Sequence, residues 1–426
     1  MCAFHLGWFL GPGITIQGWN TPDFPKGYDW TKPDIFADGA KRLEQACFDF
    51  LILEDTSAVP YTYGGNMDFY LKHAAMTPKF DPVVVTPYIL AATKRLGVAT
   101  TMTSTFYPPW ILARSMSTMD HYSDGRMAWN IVTATSDAAA QNFGLDQQYE
   151  HDRRYDMADE YVDAVKALWD AWEPDAVVDN GEMFIDPSKV KAVNFEGEFY
   201  KTRGPLNVPR SPQGSPVLIA PGGSPRGRKF SGRNAEVVLG SADDMEGMKQ
   251  YCIDVRQHAV DFGRDPDKIK MMFAVAPVVT KTKAEAEEYK ENLPRMAAAR
   301  FDHTLAAKSF LSGIDFAKFD ADQPVGEITT NGMQTMLSKF KDPSKSLREI
   351  FGGGPENPLV GTPEDLASEM IEMMDEVGGD GFLITGHLKP AYISQIVDGL
   401  VPVLQKRGAT RTDYSHTQLR ENMQAF

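Results

Sequence analysis

The chain reads as a (β/α)8 barrel, and three features of the sequence point there. Eight short apolar runs punctuate its 426 residues. Longer amphipathic stretches separate them, with apolar residues recurring at three- and four-residue spacing. Such alternation builds a parallel sheet covered by helices, and eight repeats are the number that closes a barrel. The third feature is a departure from the rival, an open doubly wound sheet. Gly11-Pro12-Gly13 follows the first run with neither the third glycine nor the helix start which that fold uses to bind a dinucleotide.

The predicted strands are 4–10, 48–54, 98–105, 127–134, 216–220, 236–240, 269–280 and 381–385. The first two are nearly continuous apolar runs, as expected of strands buried on both faces. The third is rich in threonine, a β-branched residue that suits a pleated surface. The fourth carries Trp129 and Asn130, which a plain buried strand would not need. The fifth ends in Ala220-Pro221-Gly222-Gly223, a glycine turn. Between strands, 159–172 sets Tyr161, Val165, Leu168, Trp169 and Trp172 on one helical face. Before the last strand, Gly361-Thr362-Pro363-Glu364-Asp365 starts a helix with Thr362 as its cap.

Two stretches exceed ordinary connections. Residues 173–215 are rich in Pro, Gly and Asp and contain a hairpin-like segment at 194–200. Residues 281–380 hold several helical patterns. Loops this long usually form lids or substrate walls, so both are expected as insertions at the mouth of one barrel domain spanning 1–426.

Composition narrows the function. Acidic residues outnumber basic ones by 58 to 43, giving a net charge of −15 and a pI near 5.0. That balance argues against nucleic acid or an anionic membrane as the main partner. The three cysteines, Cys2, Cys47 and Cys252, are scattered and odd in number, which suggests a reducing compartment. The apolar start lacks the basic region of a signal peptide, and no run of 18 apolar residues is present. A cytoplasmic location is the expectation. The eight histidines form no His-x-His or His-Glu-x-x-His pair, so a zinc site has little basis. There is no Gly-x-Ser-x-Gly elbow for acyl transfer.

Four segments could carry chemistry. In Gly222-Gly223-Ser224-Pro225-Arg226-Gly227-Arg228-Lys229, a strand ends, glycines turn the chain, and Ser224 caps a helix with proline at its first position. Helix N-termini attract anions, and basic residues crowd here in an acidic protein, so a phosphate site is expected. His151 and Tyr155 lie four apart at the start of a helix and can share a face. Asp55 ends the second strand. Thr101, or Thr103 if the register shifts by two, lies near the end of the third.

The string Asp120-His121-Tyr122-Ser123-Asp124-Gly125-Arg126-Met127-Ala128-Trp129-Asn130-Ile131-Val132-Thr133 resembles a segment of a known family. This is the group of flavin-dependent monooxygenases that oxidise nitrilotriacetate, EDTA, dibenzothiophene sulfone and long-chain alkanes, a branch of the bacterial-luciferase-like barrels. The other segments match in the same order. Leu53-Glu54-Asp55-Thr56 is similar to the family's Leu-Ala-Asp-Thr, with Glu54 replacing an alanine. Asn142-Phe143-Gly144-Leu145 precedes a family His and Tyr, here His151 and Tyr155. Gly222–Gly227 is similar to a Gly-Ser-Ser-x-x-Gly loop, with Gly223 in place of the first serine.

The resemblance implies FMN held by Asp55, Thr101, Asn130, His151, Tyr155, Gly223 and Ser224, with the phosphate at Ser224. Trp129 is the alternative to Asn130 as a wall of the flavin pocket. It further implies reduced FMN from a separate NAD(P)H:flavin reductase, O2 as co-substrate, a flavin-peroxide adduct that oxygenates a small organic substrate, and a homo-oligomer. No catalytic acid or base is assigned; His5 and His387 are considered because strand ends point into the mouth. Two alternatives stand beside this reading. One is a deazaflavin-dependent oxidoreductase or flavin-degrading enzyme of the same superfamily, and the other a flavin-binding protein without turnover.

Overall fold

The computed structural model describes residues 3–11, 19, 28–240, 242, 244–353, 358–386 and 388–426. Eight parallel strands close into a barrel: β1 His5–Leu10, β2 Phe50–Leu53, β3 Gly97–Thr103, β4 Met127–Val132, β5 Val217–Pro221, β6 Val237–Gly240, β7 Lys270–Val275 and β8 Gly381–Thr385. Each pairs with its sequence neighbour, and β8 returns to β1 with His5 opposite Gly381. Every predicted strand is present. The seventh stops early because Pro277, which has no N–H to donate, interrupts it. Beyond that proline, Val278–Val279 pairs instead with Val360–Gly361, outside the barrel.

The two faces of each strand go to different cores. Phe50, Ile52, Ala99, Ala128, Val217, Ile219, Val237, Met272 and Leu383 fill the barrel interior, with Leu419 and Met423 of the C-terminal segment packed among them. The alternate residues, including Trp8, Leu51, Val98, Met102, Trp129 and Ile131, join the layer beneath the helices. This period of two decides which residues of β3 and β4 can face a ligand.

The helices that matter for the site are α1 Asp34–Gln45, α2 Pro82–Ala92, α3 Pro109–Tyr122, α4 His151–Trp169, α5 Pro225–Asn234, α6 Met245–Asp261, α7 Lys283–Ala299, α8 Phe301–Ser312 and α9 Pro363–Val377. Helix α4 contains most of the predicted 159–172 helix and begins at His151 itself. Thr362 caps α9 by accepting the Asp365 N–H, as its sequence suggests.

The 173–215 segment leaves α4 at the N-terminal end of the barrel. Its hairpin, Phe195–Glu196 against Lys201–Thr202, climbs along α4, where the Glu160 carboxylate accepts the N–H groups of Glu198, Phe199 and Tyr200. It reaches the mouth through the Tyr200 hydroxyl, which donates to Ser104 O (2.9 Å). The 281–380 segment leaves β7 at the mouth. It builds its own small core from Phe301, Leu305, Phe316, Met336, Phe340 and Leu347. Among the described residues, no helix is long and apolar enough to cross a membrane.

Candidate cofactor and active site

The turn after β5 is shaped by glycines that larger residues could not replace. A Cβ on Gly222 would strike the Gly227 carbonyl, and one on Gly227 would lie 2.8 Å from the Tyr155 hydroxyl. Ser224 then caps α5, its Oγ accepting the Gly227 N–H at 3.1 Å. Pro225 has no N–H, and the Gly227 N–H is taken by the cap. The first turn is therefore left with the amide of Arg226 for an outside anion.

Helix α4 delivers the second predicted segment to this turn. His151 Nε2 lies 3.2 Å from Ser224 Oγ, although the two residues are 73 positions apart. The other ring nitrogen lies 2.7 Å from Asp152 Oδ1, which orients the imidazole. Tyr155 follows one turn later, its ring 5.2 Å from that of His151 and beneath the Arg226 guanidinium. Burial pushes the Tyr155 phenol above its ordinary pKa, so the group is neutral and available as a hydrogen-bond donor. His151, Tyr155, Gly223 and Ser224 thus meet at one point.

The arginines of this turn are turned elsewhere. Arg226 pairs with Asp156 and Asp159 of α4, Arg233 with Asp159 and Asp163, and Arg228 with Asp254 of α6. These pairs lock α5 between its neighbours, while Arg226 Nη1 is buried without a partner and Lys229 is exposed without an ion pair among the described residues.

Asn130 and Thr101 face each other across the β3–β4 ladder, inside the barrel. Asn130 Nδ2 donates to Thr101 Oγ1 at 2.7 Å, while Asn130 Oδ1 is buried with no partner among the described residues. A buried orphan acceptor is rare and costly, and it marks a place for a ligand donor. Trp129 points the opposite way. Its Nε1 donates to Met102 O (2.9 Å), and its ring packs against Tyr161 and Trp169. Of the two candidates in β4, Asn130 is the one positioned to line a pocket. Thr103 shares the inward face with Thr101, and its hydroxyl accepts the Thr105 N–H.

Asp55 stands just past β2, beside a cavity of about 360 Å³ also lined by Lys79, Phe80, Tyr107, Asn142 and Phe143. Its carboxylate accepts the Thr56 N–H (2.7 Å) and the Ser57 hydroxyl (3.1 Å). Burial raises its pKa despite those donors. The unusual Glu54 is accounted for: it binds the half-buried Thr56 hydroxyl and Lys79 Nζ at 2.6 Å, and its carboxylate lies against Gly11. A larger cavity, about 1000 Å³, opens beside His151 and is lined by Tyr61, Asp137, Gln148, Phe310, Asp315 and Asn331.

His5 is not part of this arrangement. It is the first residue of β1, so it sits at the opposite end of the barrel, with Nδ1 3.2 Å from Asp49 and its ring stacked on Phe426. His387 lies outside the described residues. Two contributors escaped the sequence reading. Asn331 Oδ1 accepts the His151 N–H at 2.8 Å, capping α4 from 180 residues away. The fully buried Arg154 donates to Tyr149 O and Asn331 O. No local pattern signals either, because both partners lie in distant segments.

The luciferase-like monooxygenase family model matches residues 22–381. The chain is 38% identical over 440 residues to the dibenzothiophene-sulfone monooxygenase of Rhodococcus erythropolis (strain XP), with 98% of this chain and 96% of that protein covered. It is 30% identical over 437 residues to nitrilotriacetate monooxygenase component A of Aminobacter aminovorans, covering 98% and 96% respectively. A crystal structure of riboflavin lyase with modified FMN and riboflavin superposes with a TM-score of 0.89 at 30% identity, covering 100% of this chain and 96% of that one. With the barrel closed in the same way and the matched span exceeding half its length, this chain belongs to the luciferase-like monooxygenase family and is a monooxygenase.

Proposed function

We propose that this chain is the oxygenase component of a two-component system. It would bind reduced FMN released by a separate NAD(P)H:flavin reductase and use O2 to oxygenate a small organic substrate. The observation that carries the reading is the convergence of His151, Tyr155 and Ser224 at the N-terminus of α5, with the orphan acceptor of Asn130 inside the same barrel. The relative named as a component A fits a system of more than one protein.

The residues present suit FMN. The Ser224 hydroxyl, the Arg226 amide and the Tyr155 phenol are neutral donors that match a phosphate, and the helix dipole favours its charge. Asn130 Oδ1 suits an N–H donor of a flavin ring, and Thr101 holds the amide in that orientation. Reduced FMN, when bound, supplies two electrons and two protons, so that with O2 one oxygen atom passes to the substrate and the other leaves as water. The chain's own work is to orient the cofactor and to keep bulk water from the reacting face. The 281–380 segment, roofing the mouth beside the larger cavity, serves that exclusion. A cytoplasmic setting and a homo-oligomer belong to the same reading, and Cys47 and Cys252 as buried free thiols suit the former.

The test is anaerobic titration with reduced and oxidised FMN, followed by turnover under labelled oxygen with a flavin reductase and a panel of organosulfur, amine-chelator and alkane substrates. Preference for the reduced form, with one labelled atom in the product, is the expected result. Riboflavin consumption in place of substrate oxygenation would favour a flavin-degrading enzyme, and equal affinity for both redox forms without turnover a passive binder.

A further inference from the structure

The connection between β7 and β8 enters the proposed cofactor site from outside the barrel. Resting on the FMN reading above, we infer that it supplies a phosphate ligand of its own, the hydroxyl of Thr335, whose methyl fills the space a side chain on Gly223 would occupy. A Cβ built on Gly223 would collide with the Thr335 methyl and lie 3.3 Å from its hydroxyl oxygen. The glycine is therefore what allows the short helix Gln334–Phe340 to seat against the turn. The Thr335 carbonyl accepts the Ser338 hydroxyl, whereas the Thr335 hydroxyl has no protein partner among the described residues. It is free to rotate toward an anion held at the turn.

That hydroxyl is held in place rather than carried on a loose loop. Four residues earlier, Asn331 is tied on three sides: Oδ1 to the His151 N–H, Nδ2 to Tyr149 O at 3.1 Å, and its carbonyl to the buried Arg154 at 2.8 Å. Gly332 packs against the Ser312 backbone so closely that no side chain would fit. A donor fixed by such contacts costs little to order when the ligand arrives. The site also needs neutral donors. Arg226 and Arg228 are paired with carboxylates, although Arg226 Nη1 is buried and unpartnered among the described residues, and the first helical residue is a proline without an N–H. Asn130 Oδ1, buried and unpartnered among the described residues, is an independent sign that a ligand extends from this turn inward.

The experiment measures anaerobic dissociation constants for reduced FMN and reduced riboflavin, which lacks the phosphate, on wild type, Thr335→Val and Thr335→Ser. Valine keeps the shape and removes the hydroxyl. FMN binding by T335V is expected to weaken about tenfold, the scale of one hydrogen bond to a charged group, with riboflavin unchanged and T335S close to wild type. Unchanged FMN affinity in T335V overturns the inference. Equal weakening for both flavins also overturns it, since the residue would then act through packing alone. If wild type itself fails to prefer FMN over riboflavin, the phosphate site falls and this inference with it; failure confined to T335V leaves the FMN reading standing.

Discussion

Ser224→Asp separates the two roles that the structure gives Ser224. As a helix cap, Ser224 accepts the Gly227 N–H, and aspartate caps as well as serine. Its charge gains about 0.3–1 kcal/mol from the helix dipole and finds the His151 ring, now 3.2 Å from Oγ, as a partner. The flavin-free protein should therefore unfold in urea within about 1 kcal/mol of wild type. Toward a phosphate the same substitution is severe. Two unit charges about 4 Å apart repel by roughly 4 kcal/mol at an effective dielectric of 20, and the lost hydroxyl donor adds about 1.5–3 kcal/mol. The dissociation constant for reduced FMN should rise by on the order of ten-thousandfold or more. Riboflavin, lacking the phosphate, should bind nearly as before.

Ser224→Ala is the complementary variant. It loses the cap, at about 1 kcal/mol of stability, and weakens FMN only about tenfold because no repulsion replaces the hydroxyl. Anaerobic fluorescence titration and urea unfolding on the three proteins decide the matter. If S224D binds FMN within about threefold of wild type, or if FMN and riboflavin weaken by the same factor, the phosphate is not at this helix.

Further outcomes follow from the same contacts. Asn331→Ala removes the distant cap on the His151 N–H; it should cost about 1 kcal/mol and make the 281–380 segment cleave faster in limited proteolysis, and unchanged cleavage would count against the clasp. Gly223→Ser should destabilise through collision with Thr335, and adding Thr335→Gly should restore much of the loss; strictly additive losses in the double-mutant cycle would rule the contact out. Trp129→Phe should lower stability through its lost bond to Met102 O while leaving flavin affinity intact, whereas Asn130→Leu should do the reverse; a flavin defect in the tryptophan variant would place the wrong β4 residue in the pocket. His303 faces His73 at 4.9 Å, and burial, with help from His73 and Arg300 against Asp302, lowers its pKa from the ordinary 6.5. A lowered histidine contributes stability that is full above its unfolded pKa and lost as pH falls through the folded value. Acid should therefore loosen α8, as followed by hydrogen exchange, and His303→Gln should flatten that response.

What the sequence revealed of this site depended on how local each signal was. The turn at Gly222–Gly227 is written within a few residues, so its cap, proline and glycines could be read directly, as could the four-residue spacing of His151 and Tyr155 at the start of α4. The barrel was legible because strands buried on both faces must be apolar. Side-chain direction was less so: Trp129 and Asn130 are adjacent, a strand turns them to opposite faces, and only the pairing register places Asn130 beside Thr101. His5 shows the converse. It stands at the start of its strand, and in a parallel barrel the direction of the chain alone assigns that end to the floor. The arginines near Ser224 suggested free positive charge because their carboxylate partners are distant in sequence, those of Arg226 and Arg233 about 70 residues earlier in α4 and that of Arg228 in α6. Asn331 and Thr335 had no local signature at all. Yet Gly223, which looked like the loss of a family hydroxyl, was the trace Thr335 left in sequence, since its methyl occupies the volume a side chain there would fill. A departure from a family motif can thus mark the place where a distant insertion docks, and the Thr335 variants test whether that insertion brings back the lost donor.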